Sequence, residues 1–129
     1  MAKILVVDDE PSIRELFAAL LSMAGHEVTA VSSAQEARCA WEEEEGRFNV
    51  LVTDFWMPGE KGDALAVALC RESARMGCVI VTGHNAGALS LAEFRDRIIV
   101  LNKPLNAATL NERIMTLLSR RAENRSLPD

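Results

Sequence analysis

No stretch of this sequence is apolar for long enough to cross a membrane, since a membrane-spanning helix needs about 18 or more consecutive apolar residues. The chain also turns acidic at Asp8, before the pattern of a secretory signal peptide could develop. Basic residues are in the minority, with 14 Lys and Arg against 19 Asp and Glu and a net charge of −5, which argues against a nucleic-acid-binding surface. We therefore expect a cytoplasmic protein with no membrane span and no direct contact with nucleic acid.

Cysteine is scarce as well. Cys39, Cys70 and Cys78 form an odd, scattered set that lacks the Cys-x-x-Cys spacing of redox and zinc motifs. We therefore expect buried or reduced thiols in a cytoplasmic protein, and no disulfide framework.

The chain has neither an internal repeat nor a low-complexity linker. At 129 residues it is long enough for one domain with a sizeable core. We predict a domain over residues 1–120, followed over residues 121–129 by a polar C-terminal tail or the start of a linker.

Short strand-like runs alternate with amphipathic segments along the chain. The runs that predict strands are Lys3–Val7, Glu27–Val31, Phe48–Thr53, Cys78–Thr82 and Ile98–Leu101. A helical segment follows each of them; the fourth of these helices is weak and covers about Ala88–Arg95. Buried strands that alternate with amphipathic helices indicate a parallel sheet covered on both sides. We therefore predict the α/β class and a (βα)5 doubly wound parallel sheet, for which we take the common strand order 2-1-3-4-5.

Capping residues and apolar spacing predict how the helices begin and which side chains they bury. Pro11 suits the first position of the first helix, and Ser33, Asp63 and Asn106 suit the caps of later ones. The inner face of the first helix is predicted to carry Ile13, Leu16, Phe17, Leu20 and Leu21. Apolar residues on or near the inner side of the second helix are Ala34, Ala37, Cys39, Ala40 and Trp41.

Asp54 is the first candidate for chemistry. It follows the buried run Val50–Thr53, and Pro58 and Gly59 supply turn chemistry a few residues later. In open α/β sheets ligands bind at the carboxyl ends of the strands. A carboxylate at that position is therefore more readily explained by function than by stability.

Other polar side chains follow the remaining strands and converge on the same edge. Asp8 and Asp9 follow the first strand, Thr82 ends the fourth and Lys103 follows the fifth. Strands one and three are neighbours in the predicted order, so their three carboxylates would meet there. Like charges this close repel one another unless a cation joins them. Oxygen ligands with positions open to water suit Mg²⁺ better than zinc, and we predict a magnesium site.

Three acids, Mg²⁺, a hydroxyl and an ammonium group together can hold a phosphoryl group. The metal ion and Lys103 would neutralise phosphoryl oxygens, and the Thr82 hydroxyl would donate a hydrogen bond to another. Asp54 would be the nucleophile.

At this point the sequence resembles the receiver domain of two-component response regulators, from Ala2 to about Arg120. The matching motifs are Ile4-Leu-Val-Val-Asp-Asp-Glu10, Asp54 with Met57-Pro58-Gly59 and Gly62, Val81-Thr82, and Lys103-Pro104. The resemblance implies a flavodoxin-like receiver fold. It also implies a phosphoprotein that serves signal transduction, with a sensor histidine kinase or a phosphotransfer domain as its partner.

The resemblance assigns roles to individual residues. Asp54 would accept a phosphoryl group from a phosphohistidine, with Thr82 and Lys103 assisting, after which the domain would change its interaction surface. Mg²⁺ would be bound by Asp9, Asp54 and the backbone carbonyl of Trp56, with Asp8 acting through water. Such a domain is not a turnover enzyme, because it catalyses only its own phosphorylation and dephosphorylation.

Three positions depart from the usual family pattern. Receiver domains usually carry Tyr or Phe late in the fifth strand, where this chain has Val100. Trp56 and His84, which flank the phosphorylation site by resemblance, are unusual enough to change how water reaches an acyl phosphate.

Two other functions are weighed against the signalling switch. A Mg²⁺-dependent phosphohydrolase with an Asp nucleophile would carry Asp-x-Asp, whereas Asp54 is followed by Phe55 and Trp56. A receiver-like interaction module that is never phosphorylated would not need the complete set of acids, hydroxyl and lysine. The output is open: the segment could stand alone, be joined to an effector domain in cis, or belong to a hybrid kinase.

Overall fold

A computed structural model of the chain describes residues 2–73, 76–83, 97–103 and 107–126. Several sequence predictions lie outside the described residues. These are the weak helix at about Ala88–Arg95, the neighbour His84, the motif residue Pro104 and the cap Asn106.

Within the described residues, five strands form one parallel sheet. They are β1 (Lys3–Val7), β2 (Glu27–Val31), β3 (Val50–Asp54), β4 (Gly77–Thr82) and β5 (Ile98–Asn102). The strand order is β2-β1-β3-β4-β5, so the predicted fold class and topology are confirmed. The central strands β3 and β4 are buried along their whole length, as their apolar and β-branched sequences require. The edge strands β2 and β5 are partly exposed.

The described residues also form four helices, α1 (Pro11–Met23), α2 (Ala34–Glu43), α3 (Gly62–Glu72) and α4 (Ala107–Ser126). Pro11 opens α1 as predicted. Ser33 caps α2, where its hydroxyl accepts the backbone N–H of Glu36 at 3.1 Å. Because α4 continues to Ser126, it passes the boundary predicted at residue 120, and the end of the domain stays a prediction.

Some details of the sequence interpretation were wrong. The third strand begins at Val50 and includes Asp54, so the carboxylate is the last residue of the strand and does not follow it. Asp63 lies in the first turn of α3, with Lys61 at the capping position, and its carboxylate accepts the neighbouring N–H of Ala64 at 2.9 Å. Asp63 is not the cap because α3 already begins at Gly62, which packs against the backbone of Asp54 at the end of β3.

Two apolar side chains assigned to inner helix faces are exposed. Leu16 is 49% exposed, because it lies about 100° around α1 from the buried Phe17. Cys39 is exposed on α2, since a residue two positions before the buried Trp41 faces away from it. The apolar stripes are therefore narrower than the sequence interpretation assumed.

Two apolar clusters lie on opposite faces of the sheet, and strand alternation creates them. In β1, Ile4 and Val6 belong to the cluster covered by α1 and α4. Leu5 and Val7 belong to the cluster covered by α2 and α3. This doubly wound arrangement leaves the carboxyl ends of the strands uncovered by helix faces, and the polar side chains lie there. Among the described residues, no helix is both long and apolar enough to cross a membrane.

Gly62 brings α3 close to the end of β3. A Cβ atom at this position would lie 2.3 Å from the backbone oxygen of Asp54, well inside any normal contact. The Gly62 N–H donates to the carbonyl of Phe55 at 3.0 Å. Packing of α3 against the strand that carries Asp54 therefore leaves no room for a side chain at position 62.

We expect Gly62→Ala to lower the free energy of unfolding by about 1–3 kcal/mol, because the added methyl group must push the start of α3 away from Asp54. Gly83→Ala is the matched control: an added Cβ meets nothing within 4 Å there, and the change should stay below about 1 kcal/mol. Urea denaturation followed by circular dichroism measures both. Equal effects of the two substitutions would contradict this account of Gly62.

Candidate functional site

Three carboxylates meet at the carboxyl ends of β1 and β3. The two strands are paired in register, with Val7 opposite Thr53. Asp8 and Asp9 therefore emerge beside Asp54, and one oxygen of each of the three acids lies within 4.8 Å of the others. The argument from parallel strand ends correctly predicted that these side chains would come together.

Asp54 is buried, and its two carboxylate oxygens have different surroundings. The residue is only 6% exposed. Its Oδ2 lies 3.2 Å from the Nζ of Lys103, whereas the buried Oδ1 has no hydrogen-bond partner among the residues that the structure describes. A buried carboxylate oxygen without a partner is strongly destabilising unless a ligand satisfies it. Three oxygen donors around such an atom fit a hard divalent cation such as Mg²⁺.

Asp8 is buried and tied to the start of α1. Its Oδ1 accepts the N–H of Glu10 at 2.9 Å, and the guanidinium of Arg14 donates to its backbone carbonyl at 2.9 Å. Burial raises the pKa of Asp8 above its usual value, and the nearby charges of Asp54 and Asp9 raise it further. The Glu10 N–H and the charge of Lys103 oppose this shift without reversing it. Asp9, in contrast, is exposed.

Lys103 reaches Asp54 from the end of β5. Its backbone N–H donates to the carbonyl of Thr82 at 2.8 Å, which fastens the residue to the end of β4. Thr82 is buried one position beyond Val81, the partner of Asp54 in the strand register. The structure therefore places Thr82 and Lys103 at the same sheet edge as the acids, with the lysine in direct contact with Asp54.

Trp56 lies on the loop after β3 and is 48% exposed. Its ring packs edge-on against Phe55, with 4.9 Å between centroids, and the Nζ of Lys61 lies 5.2 Å from its centroid.

Val100 is in β5 opposite Ile80 and partly buried against the cluster beneath α2 and α3.

Contacts that brace the site were missed by sequence reasoning. The guanidinium of Arg38 in α2 makes two hydrogen bonds with the Glu60 carboxylate, at 2.7 and 3.0 Å, and so holds the loop after β3. Lys61 donates to the carbonyl of Met57 at 2.9 Å in the same loop. The contact between Arg38 and Glu60 could not be predicted from sequence spacing, because the two residues lie on different elements. The contact of Arg14 had a weak signal, since a basic residue follows the acids within the first turn of α1.

A doubly wound parallel sheet of this order, with acids at the point where the strand order reverses, defines the flavodoxin-like class of α/β domains. Within this class, the chain belongs to the response regulator receiver domain family, whose sequence profile matches residues 4–115.

Individual relatives agree with this assignment. The probable transcriptional regulator ycf27 of Cyanophora paradoxa is 35% identical over 97% of this chain and 51% of its own length. The chain thus spans about half the length of the curated relatives it matches. A receiver domain protein from Clostridium thermocellum has a TM-score of 0.84 at 29% identity, covering 95% of this chain and 98% of that one. The regulator TrrA from Thermotoga maritima, solved with Mg²⁺-BeF, has a TM-score of 0.76 at 27% identity, covering 91% and 99%.

We expect Asp8→Asn to raise the stability of the metal-free domain at neutral pH. The raised pKa means that the folded state binds the Asp8 proton more tightly than the unfolded state does. The folded state of the wild type is therefore destabilised as the pH rises from about 3.8, the ordinary pKa of an aspartate, through the higher pKa of Asp8 in the folded state. Asparagine carries no charge at any of these pH values, so the variant does not lose this stability.

Urea midpoints in EDTA, measured from neutral pH down toward pH 4, test this expectation. The advantage of Asp8→Asn should shrink as the pH falls. Asp63→Asn is the control, because Asp63 lies in the first turn of α3 outside the acid cluster. A lower midpoint for Asp8→Asn than for the wild type at neutral pH would contradict the expectation.

Proposed function

We propose that this domain is a phosphoryl-accepting switch of a two-component system, in which Asp54 takes the phosphoryl group of a phosphohistidine. The observation that carries the proposal is the state of the Asp54 carboxylate. It is buried beside two other acids, with one oxygen paired with Lys103 and the other without a hydrogen-bond partner in the described part of the chain. Membership of the receiver family supports the same role.

The chain's own residues account for the transfer. An oxygen of Asp54 forms a bond to phosphorus while the bond from phosphorus to the donor's imidazole nitrogen breaks, and the electron pair stays with that nitrogen. The ammonium group of Lys103 offsets negative charge on the phosphoryl oxygens. The Thr82 hydroxyl, at the end of the neighbouring strand, would donate a hydrogen bond to one of them. Asp54 thereby becomes an acyl phosphate, and the altered charge at the sheet edge changes the surface around it.

Receiver domains bind Mg²⁺ in an acidic pocket, and the cluster of this chain fits that ion. We propose that Asp9, Asp54 and the backbone carbonyl of Trp56 hold the ion directly and that Asp8 acts through water. When bound, Mg²⁺ neutralises charge on the carboxylates and on the phosphoryl oxygens. Asp8 and Asp9 would contribute by holding the ion, and neither would form a bond to phosphorus.

The alternative functions have less support. A phosphohydrolase of the Asp-nucleophile type needs a second acid as general acid and base, and Trp56 occupies that position after Asp54. A module that is never phosphorylated would not need three acids and Lys103 gathered at one edge of the sheet, as they are here.

Partners follow from the proposed reaction. A sensor histidine kinase or a phosphotransfer domain would supply the phosphoryl group in the cytoplasm. The curated relatives are named as transcriptional regulators and are about twice as long as the matched segment, which supports an effector domain in cis. The receiver domain from the hybrid histidine kinase CckA, at 29% identity and a TM-score of 0.75, supports attachment to a kinase as the other arrangement. In either arrangement the domain itself, with its net charge of −5, would not contact nucleic acid.

We expect acetyl phosphate with Mg²⁺ to add one phosphoryl group to the chain, as intact mass spectrometry would show. Asp54→Asn should abolish the addition, because an amide oxygen is a poor nucleophile, and EDTA should suppress it. Asp63→Asn is the matched control and should be labelled like the wild type. Labelling that persists in Asp54→Asn, or that is complete in EDTA, would refute the assignment.

We expect Lys103→Ala to accept a phosphoryl group but to respond to it weakly. The substitution removes the group that links Asp54 to β5 while leaving the acids in place. Lys61→Ala is the control, since the Lys61 amine contacts the carbonyl of Met57 and lies on the same loop as the site.

Amide chemical shifts of the phosphorylated and unphosphorylated forms would measure that response. Lys61→Ala should show shift changes close to those of the wild type, whereas those of Lys103→Ala should be much smaller. Changes as large as those of the wild type in phosphorylated Lys103→Ala would contradict the role of the lysine.

A further inference from the structure

A pair of thiols lies in the core, away from the acid cluster. Cys70 is in the last turn of α3 and Cys78 is the second residue of β4, at the opposite end of that strand from Thr82. Their Sγ atoms are 3.3 Å apart and share a hydrogen bond that either thiol can donate. Both side chains are buried, and neither belongs to the site proposed to accept phosphate.

Arg97 holds the two segments that carry these thiols. Its guanidinium donates to the carbonyl of Cys70 at 3.1 Å, to the carbonyl of Met76 at 2.9 Å, and to the carbonyl of Ser73. These bonds fasten the end of α3 to the start of β4. The hydrogen bonds of Arg97, in addition to the packing of the core, therefore keep the two sulfur atoms close together.

The two thiols have different environments. The hydrogen bond from Cys78 and the positive charge of Arg97 lower the pKa of Cys70, against the opposing effect of burial. Burial raises the pKa of Cys78, and its neighbour Cys70 raises it further. Cys70 is thus the better nucleophile of the pair, because the thiolate is the reactive form.

We propose that Cys70 and Cys78 form a redox modification site, at which a peroxide converts the thiol pair into a disulfide. The Cys70 thiolate attacks one oxygen of hydrogen peroxide, the O–O bond breaks, and Cys70 becomes a sulfenic acid with release of hydroxide, which a proton converts to water. The sulfur of Cys78 then attacks the Cys70 sulfur, and a second water leaves. Two thiols lose two electrons in total, and one peroxide gains them.

The geometry requires little movement for this reaction. A disulfide has a sulfur–sulfur length of about 2.05 Å, so the two atoms must approach by roughly 1.2 Å from their present 3.3 Å. The last turn of α3 is close to the surface, because Glu72 and Ser73 line an open cleft of about 410 Å³. Cys70 and Cys78 are at most 1% exposed, so the proposal requires this end of the helix to open for hydrogen peroxide to enter. The resulting bond would fix α3 to the strand that ends at Thr82.

The test uses the full chain, reduced beforehand and treated with hydrogen peroxide in the presence of EDTA. After quenching, the protein is denatured and alkylated with N-ethylmaleimide, and intact mass and non-reduced tryptic peptides are measured. We expect two of the three cysteines to be lost to alkylation, with a Cys70–Cys78 peptide pair that dithiothreitol releases. Free Cys70 and Cys78 after treatment, or a disulfide that involves Cys39, would overturn the proposal.

Variants separate this pair from the exposed cysteine and from the phosphorylation site. Cys39→Ser and Asp54→Asn should both form the disulfide as the wild type does, so the outcome does not depend on the proposed function. In Cys78→Ser, the sulfenic acid of Cys70 should persist and be trapped by dimedone, and Cys70→Ser should form no intramolecular disulfide. If Cys70→Ser or Cys78→Ser unfolds, as judged by circular dichroism, the test of the proposal rests on Cys39→Ser alone, since this variant retains both Cys70 and Cys78. Sulfinic acid at Cys70 in Cys39→Ser, with no link to Cys78, would overturn the proposal.

Discussion

Parallel pairing between β1 and β3 holds the carboxylates of Asp8, Asp9 and Asp54 within 4.8 Å of one another against their mutual repulsion. Two full charges at that spacing repel by roughly 3 kcal/mol where the effective dielectric constant is about 20. The apolar clusters on both faces of the sheet supply the stability that keeps the strands in register despite this repulsion. A ligand that neutralises the acids therefore binds the folded state with much of the required arrangement already in place.

Close contacts also hold the segments around these acids in position. Gly62 brings the start of α3 onto the backbone of Asp54, and the bidentate pair of Arg38 and Glu60 braces the loop that follows. The side chain of Asp54, at the end of a fully buried strand, has few positions open to it. The position of the site thus depends on strand and helix packing, while Asp9 and Trp56 remain exposed beside it.

Sequence reasoning succeeded where the fold itself determines position. The strand-end acids and Lys103 could be brought to one edge because parallel strands place their carboxyl ends together, whatever the details of packing. It failed where the position around one helical turn decides exposure, as for Leu16 and Cys39, and where a contact joins separate elements, as for Arg38 with Glu60. The pairing of Cys70 with Cys78 was also missed, since eight residues across a helix end and a strand start give no recognisable spacing.

The two tryptophans occupy opposite environments. Trp56 is half exposed beside the acids, whereas Trp41 is 6% exposed and stacks near Phe48 in the core. A water-soluble quencher should reach the first indole and not the second. In the native chain, the quenchable part of the tryptophan fluorescence therefore comes from Trp56 beside the acids. The emission of Trp41 should become quenchable only when the core unfolds.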